Sequence, residues 1–333
     1  MNDQPADQTV APTIEAIMMH PLFSQDTALV TPPIQELYAH VKRRVILREM
    51  SIAFLAPSGA GKSMALTVLE ALIKAEFPGI CVLTHSTHNQ QYPSIRAFFK
   101  HFLASVGHRE QRGETFDLRQ RLLRILADGA RVEGKNIIVL MIDEANAMKR
   151  EDFLFLKDVG NDLADESIQL ITVLMGQHPE LDIVLEDLAF CRRLDLLSRF
   201  GLRKIEMRQC SSAADIKAIF TAIDTHKYPI DSDATWTAYF VPEAYKAGFR
   251  LVQQTENCDK TLKKILRYKG GGRTAFPTRQ LFAAIRIFLV EMASIDSAEF
   301  VVPPDAWLNA LGEALIKQAS DLADRRSTSD REV

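Results

Sequence analysis

Short, wholly apolar runs alternate with longer amphipathic stretches over the first two thirds of the chain. Ser51–Ala56 (SIAFLA) and the run 137–142 (IIVLMI) have no polar face, which is the pattern of strands covered on both sides. Residues 80–84 and 167–175 continue the pattern, and 202–207 is a weaker member. Between them, 34–50, 62–77, 92–106, 116–132 and 151–163 repeat apolar residues at helical spacing. Fully apolar strands separated by helices predict an α/β domain built on a parallel sheet. After Cys210 the strand pattern stops, and 213–223, 242–253, 260–268, 278–292 and 305–322 all read as helices. The expected organisation is an extended arm over 1–35 with a short helix at 13–19, an α/β domain over 36–209, a helical domain over 210–324, and a disordered tail over 325–333. No internal repeat is visible.

Composition adds bounds. The 333 residues are 47% hydrophobic and 25% charged, the balance of a globular chain that buries a large core. Forty basic against forty-three acidic residues give a net charge of −3, which excludes a polycation but not a local basic patch. Such a patch exists: residues 260–290 hold eight basic residues and no acidic one. Within it, Lys260, Lys263, Lys264 and Arg267 share one helical face by spacing. DNA phosphate, bound nucleotide, an acidic partner and plain solvent all suit that face. The four cysteines are too scattered for a zinc knuckle or redox pair, so reduced thiols in a cytoplasmic protein are expected. The polar N-terminus is not a signal peptide, and no run is long enough to span a membrane.

The chemistry concentrates in two places. After the first strand comes Ala56-Pro57-Ser58-Gly59-Ala60-Gly61-Lys62-Ser63, the phosphate-loop pattern G-x-x-x-x-G-K-[ST] with Ala56 in the first glycine position. Gly59 and Gly61 let backbone N–H groups wrap a phosphate, Lys62 reaches its oxygens, and Ser63 offers a hydroxyl to Mg²⁺. Pro57, Ser58, Ala60 and Met64 complete the expected ATP cradle. The second place is the apolar run ending in Asp143-Glu144. On a strand beside the phosphate loop, Asp143 would hold Mg²⁺, and Glu144 would act as general base toward water. A carboxylate pair favours hydrolysis over transfer to a small-molecule acceptor. His85 and His88 find no third ligand at matching spacing, so a structural role is expected.

Phosphate loop, Ile142-Asp143-Glu144-Ala145 and a helical second domain together resemble AAA+ ATPases, implying a three-layer domain with a central parallel five-stranded sheet and an all-helical lid. Residues 119–207 resemble more narrowly the TnsC/TniB group of transposition regulators, with ExeA and MuB as more distant relatives; the resemblance covers roughly 35–290. It implies that Gln177 occupies the sensor-1 position, where many relatives carry Asn or Thr. It implies Arg199 as an arginine finger reaching a neighbour's ATP, with Arg192, Arg193 and Arg203 as alternatives, and Arg279 as sensor 2. It also implies ring or helical homo-oligomers, hexamer- or heptamer-like, on duplex DNA without sequence preference. Hydrolysis would drive disassembly, and transposase and target-selector proteins would be the partners. The DNA-facing surface would hold Thr87, Asn89, Arg96, Lys100 and Thr115; Lys263 and Lys264 join them on charge. An ExeA-like assembly scaffold, a phage-defence or signalling ATPase, and a small-molecule kinase remain alternatives.

Overall fold

In the computed structural model the described residues are 13–24, 29–87, 94–110, 112–201, 203–268 and 276–316. Asn89, His88, Leu202 and the tail 325–333 lie outside them. The chain divides into two compact units, Pro33–Arg208 and Met1–Pro32 with Gln209–Val333.

The first unit is built on a five-stranded sheet in the order β2-β3-β4-β1-β5. Its strands are β1 (Ser51–Ala56), β2 (Cys81–Ser86), β3 (Ile137–Asp143), β4 (Gln169–Gln177) and β5 (Lys204–Glu206). Every pairing is parallel. All seven residues of β3 are buried, as they must be where helices cover both faces of a parallel sheet. Between β1 and β3 runs β4. Two strand spacings, about 10 Å, therefore separate the phosphate loop's strand from that of Asp143. The polar strand ends also extend past the apolar runs: β2 reaches Ser86 opposite Asp143, and β4 reaches Gln177 opposite Ala56. Their ladders continue after the hydrophobic pattern has stopped.

The helices of this unit are α2 (Pro32–Leu47), α3 (Lys62–Glu76), α4 (Ile95–Ser105), α5 (Thr115–Glu133), α6 (Arg150–Asp165), α7 (Glu180–Phe190) and a single turn α8 (Leu194–Leu196). Phe98, Phe99 and Phe102 of α4, Leu118, Leu122 and Leu126 of α5, and Phe153 and Leu156 of α6 pack with the sheet into one core. A capping box of Glu114 and Asp117 starts α5, and Gly134 in the left-handed region ends it.

The second unit contains α1 (Ile14–Met19), α9 (Ala213–Thr225), α10 (Trp236–Phe240), α11 (Pro242–Lys246), α12 (Thr255–Tyr268), α13 (Thr278–Ala293) and helical residues 306–316. Its own core joins Phe220, Trp236, Phe240, Phe288 and Trp307. The single helix expected over 242–253 is broken. Gly248 adopts φ +104°, which ends α11, and the chain restarts as a 3₁₀ turn at Leu251–Gln254. Among the described residues no helix is long and apolar enough to cross a membrane.

Candidate functional site

The C-terminal ends of β1, β3 and β4 carry the expected chemistry to one edge of the sheet. From β1 the chain turns through the phosphate loop into α3. Gly59 (φ +78°) and Gly61 (φ +89°) hold left-handed conformations that a side chain would resist. Gly61 is the N-cap of α3 and makes no side-chain capping bond. The first-turn N–H groups of this fifteen-residue helix and its positive dipole end are an arrangement that attracts anions.

Ser63 and Asp143 meet directly: Ser63 Oγ donates to Asp143 Oδ2 at 2.6 Å. Lys62 Nζ lies 3.6 Å from Glu144 Oε1. The bond between Ser63 and Asp143 thus reaches across the strand that separates β1 from β3. The second Asp143 oxygen accepts from the Glu144 backbone N–H at 2.9 Å, so both oxygens of this buried carboxylate are aimed. Two hard oxygens side by side are the donor type Mg²⁺ takes. Among the described residues no group of three or more His, Cys, Asp or Glu forms a metal cage. An ion at Ser63 and Asp143 would complete its shell from water and phosphate, as Mg²⁺ does.

Glu144 sits at φ 52°, ψ 39°, an uncommon conformation for a residue with a side chain and typical of functional turns. Two side chains brace this turn, and the sequence pattern signalled neither role. Thr87 Oγ1 lies 2.6 Å from the Asp143 carbonyl and 2.8 Å from that of Glu144. The Thr87 N–H also donates to the Asp143 carbonyl. Asn146 Oδ1 accepts from the Gln177 N–H at 2.9 Å. Gln177 ends β4, between the loop strand and the Asp-Glu strand, and its side-chain amide donates to Glu180 at 3.1 Å. Gly176 beside it has no room for a side chain, since an added Cβ would sit 2.7 Å from Leu181.

The remaining candidates lie elsewhere. Arg199 falls in a π-helical turn, Leu197–Gly201, and donates to the Lys157 carbonyl and to Asn161, both at 2.9 Å. To reach a neighbouring subunit it would have to release both. Arg193 forms a two-bond pair with Asp195, and Lys157 approaches the same carboxylate. The Arg193 and Lys157 hydrogen bonds hold the Asp195 carboxyl well below its ordinary range. Arg192 is exposed, and Arg203 is 3.9 Å from Glu49. Arg279 belongs to the second unit, exposed on the first turn of α13. That helix start is fixed by Gln209, whose side-chain oxygen accepts from Thr278 N–H and Oγ1.

Of the candidates for DNA contact, Arg96 is exposed and donates to the Gly113 carbonyl at 2.9 Å, Lys100 is half-buried, and Thr115 opens α5. On α12, Lys260, Lys263, Lys264 and Arg267 line an open concavity of about 410 Å³. The face is less one-sided than the sequence pattern implied. Lys263 pairs with Asp259 at 2.7 Å, and Lys260 with Glu256 at 3.1 Å, one turn earlier in each case.

Residues 46–185 match the family model described as an AAA domain. No curated protein sequence matches the chain. Among solved structures, the ORC2 protein of Aeropyrum pernix in ADPNP–ADP complexes is similar with a TM-score of 0.57 at 14% identity, covering 89% of this chain and 71% of that one. Drosophila ORC bound to DNA has a TM-score of 0.48 at 14% identity, over 95% of this chain and 71% of that one. The Aeropyrum pernix ORC1 protein in complex with DNA has a TM-score of 0.48 at 13% identity, over 88% and 68%. Residues 46–185 are thus similar to an AAA domain, and the fold is that of an AAA+ phosphate-loop domain followed by a helical region.

Proposed function

We propose that this protein binds ATP with Mg²⁺ and hydrolyses it, and uses that cycle to assemble on and leave duplex DNA as a regulator of transposition. One observation carries the ATPase part: Lys62 and Ser63 of the phosphate loop converge on Glu144 and Asp143 across an intervening strand. In this reading Lys62 and the N-terminus of α3 take the phosphate charge. Ser63 and Asp143 hold Mg²⁺, which neutralises charge on the phosphate oxygens when bound. Glu144, released from Lys62, accepts the proton of the attacking water. Gln177 orients that water or the terminal phosphate. Arg199 of one copy and Arg279 complete the charge neutralisation, so turnover requires an oligomer.

The DNA and transposition part is supported by the sequence resemblance over 119–207 and by the basic face of α12. Arg96 and Lys100 on α4, Thr115 at the start of α5, and Lys263 and Lys264 on α12 would contact phosphates without reading bases. Glu144→Gln tests the cycle. With ATP and plain duplex DNA, the variant should keep nucleotide and accumulate on DNA as oligomers visible by electron microscopy. A variant that holds ATP yet remains monomeric and off DNA would exclude the assembly reading.

A further inference from the structure

Turnover needs two groups held in register: the base on Glu144 and the amide of Gln177. Glu144 directly follows β3 and Gln177 ends β4, both beyond the point where the ladder between those two strands stops. One side chain joins them. Asn146 lies in the 3₁₀ turn Ala145–Ala147 that follows Glu144, and it accepts the backbone N–H of Gln177 at 2.9 Å. A backbone N–H only donates, so the Asn146 atom facing it is the amide oxygen. The β3–β4 ladder pairs Ile142 with Leu174 as its last partners, three residues short of Gln177. Beyond that point the Asn146 bond continues the connection between the two strand ends.

The surroundings are shaped for this contact. A Cβ on Gly176 would stand 3.1 Å from Asn146 Oδ1, so the glycine leaves the room in which Asn146 lies. From the other side, the Thr87 hydroxyl braces the carbonyls of Asp143 and Glu144. The strained Glu144 turn is therefore tied to β2 by Thr87 and to β4 by Asn146.

We propose that Asn146 is a positioning residue for hydrolysis: it fixes Gln177 relative to Glu144, and it touches neither ATP nor water itself. The proposal rests on the ATPase reading above. Because it aligns groups that act on the transition state, its loss should lower kcat with little effect on nucleotide affinity.

The test is a double-mutant cycle on the full chain. Asn146→Leu keeps the side chain's size and removes the acceptor. It should lower kcat about tenfold, the scale of one lost hydrogen bond that serves the transition state, with affinity for a fluorescent ATP analogue within about twofold. Gln177→Ala should do the same, and the double variant should be no slower than the slower single one, because both substitutions break one unit. Amide hydrogen exchange gives a readout independent of activity. The Gln177 N–H should lose protection in Asn146→Leu and recover it in Asn146→Asp, which restores an acceptor oxygen. Multiplying kinetic losses, an unchanged kcat, or unchanged exchange at Gln177 would overturn the proposal. Absence of turnover in the unsubstituted protein would overturn the ATPase reading, and this role of Asn146 with it.

Discussion

Gly61 carries two demands at once. Its φ of +89° is costly for any residue with a Cβ, and its N–H groups and those that follow must approach a phosphate closely. Among the described residues beyond its own chain neighbours and helix backbone, no atom lies within 4 Å of an added Cβ, so Gly61→Ala meets no clash there. The substitution should therefore cost only about 1 kcal/mol of stability, the price of a left-handed alanine. Its effect on nucleotide affinity should be far larger, because the methyl group enters the space the phosphate needs. Thermal unfolding and fluorescent-nucleotide binding measured on the same variant separate the two; equal, small effects on both would place the phosphate elsewhere. At this scale much of the site was legible in advance. Lys62, Ser63, Asp143 and Glu144 are recognisable from residue type and spacing, and the structure brings them together. Thr87 and Asn146 were not legible in these roles. Each acts through a carbonyl or N–H on another strand, and strand order is invisible in a linear pattern.

Among elements, β1 and β3 were readable almost to the residue because no polar side chain interrupts them. The polar ends of β2 and β4 were less so, since hydrogen-bonded pairing and not hydrophobicity carries them to Ser86 and Gln177. The break at Gly248 escaped the periodic pattern for a related reason: one backbone angle ends a helix whose apolar spacing would allow it to continue. Helix α6 links the site to the core of its unit. It follows the Glu144 turn, and Phe153 on its first turns is fully buried against Phe200 at 5.5 Å between ring centres. Phe153→Ala should destabilise the first unit by about 3–5 kcal/mol, the usual cost of emptying a buried aromatic site. Chemical denaturation checks this; a loss below 1 kcal/mol would mean that the helix is not anchored there.

At the level of the whole molecule, the N-terminal residues belong with the C-terminal helices, although the entire first unit intervenes in sequence. Periodicity could not reveal this, because the link is made by individual side chains about two hundred residues apart. His20 is fully buried among the rings of Tyr228, Trp236, Tyr239 and Phe240, and the Tyr228 hydroxyl donates to the Met19 carbonyl. Its Nδ1 accepts from the Leu22 N–H, and among the described residues its Nε2 has no hydrogen-bond partner. Burial pulls its pKa down to about 4, below the ordinary 6.5 of an unfolded chain. The folded state thus binds fewer protons there than the unfolded state, so the stability from neutral His20 is complete above pH 6.5 and is lost as pH falls toward 4. The loss should be about 3 kcal/mol for the second unit. Unfolding followed from pH 7.5 to 4.5 should show this slope, and His20→Phe should flatten it; an equal slope in the variant would assign the acid sensitivity to other groups.

The net charge of −3 leaves any attraction to DNA local, and the pairing of Lys260 and Lys263 with acids on their own helix narrows the positive surface further. A single copy would therefore bind phosphate weakly, and binding should depend on many copies acting together. In the proposed cycle, nucleotide control of that assembly would rest in turn on hydrolysis at one site. The most direct measurement is phosphate release from Mg²⁺-ATP by the unsubstituted protein and by Glu144→Gln, with nucleotide binding followed in parallel. The site described here predicts turnover in the first, a fall to background in the second, and equal ATP affinity in both. Turnover that survives Glu144→Gln undiminished, or no turnover with duplex DNA present in either protein, would contradict it.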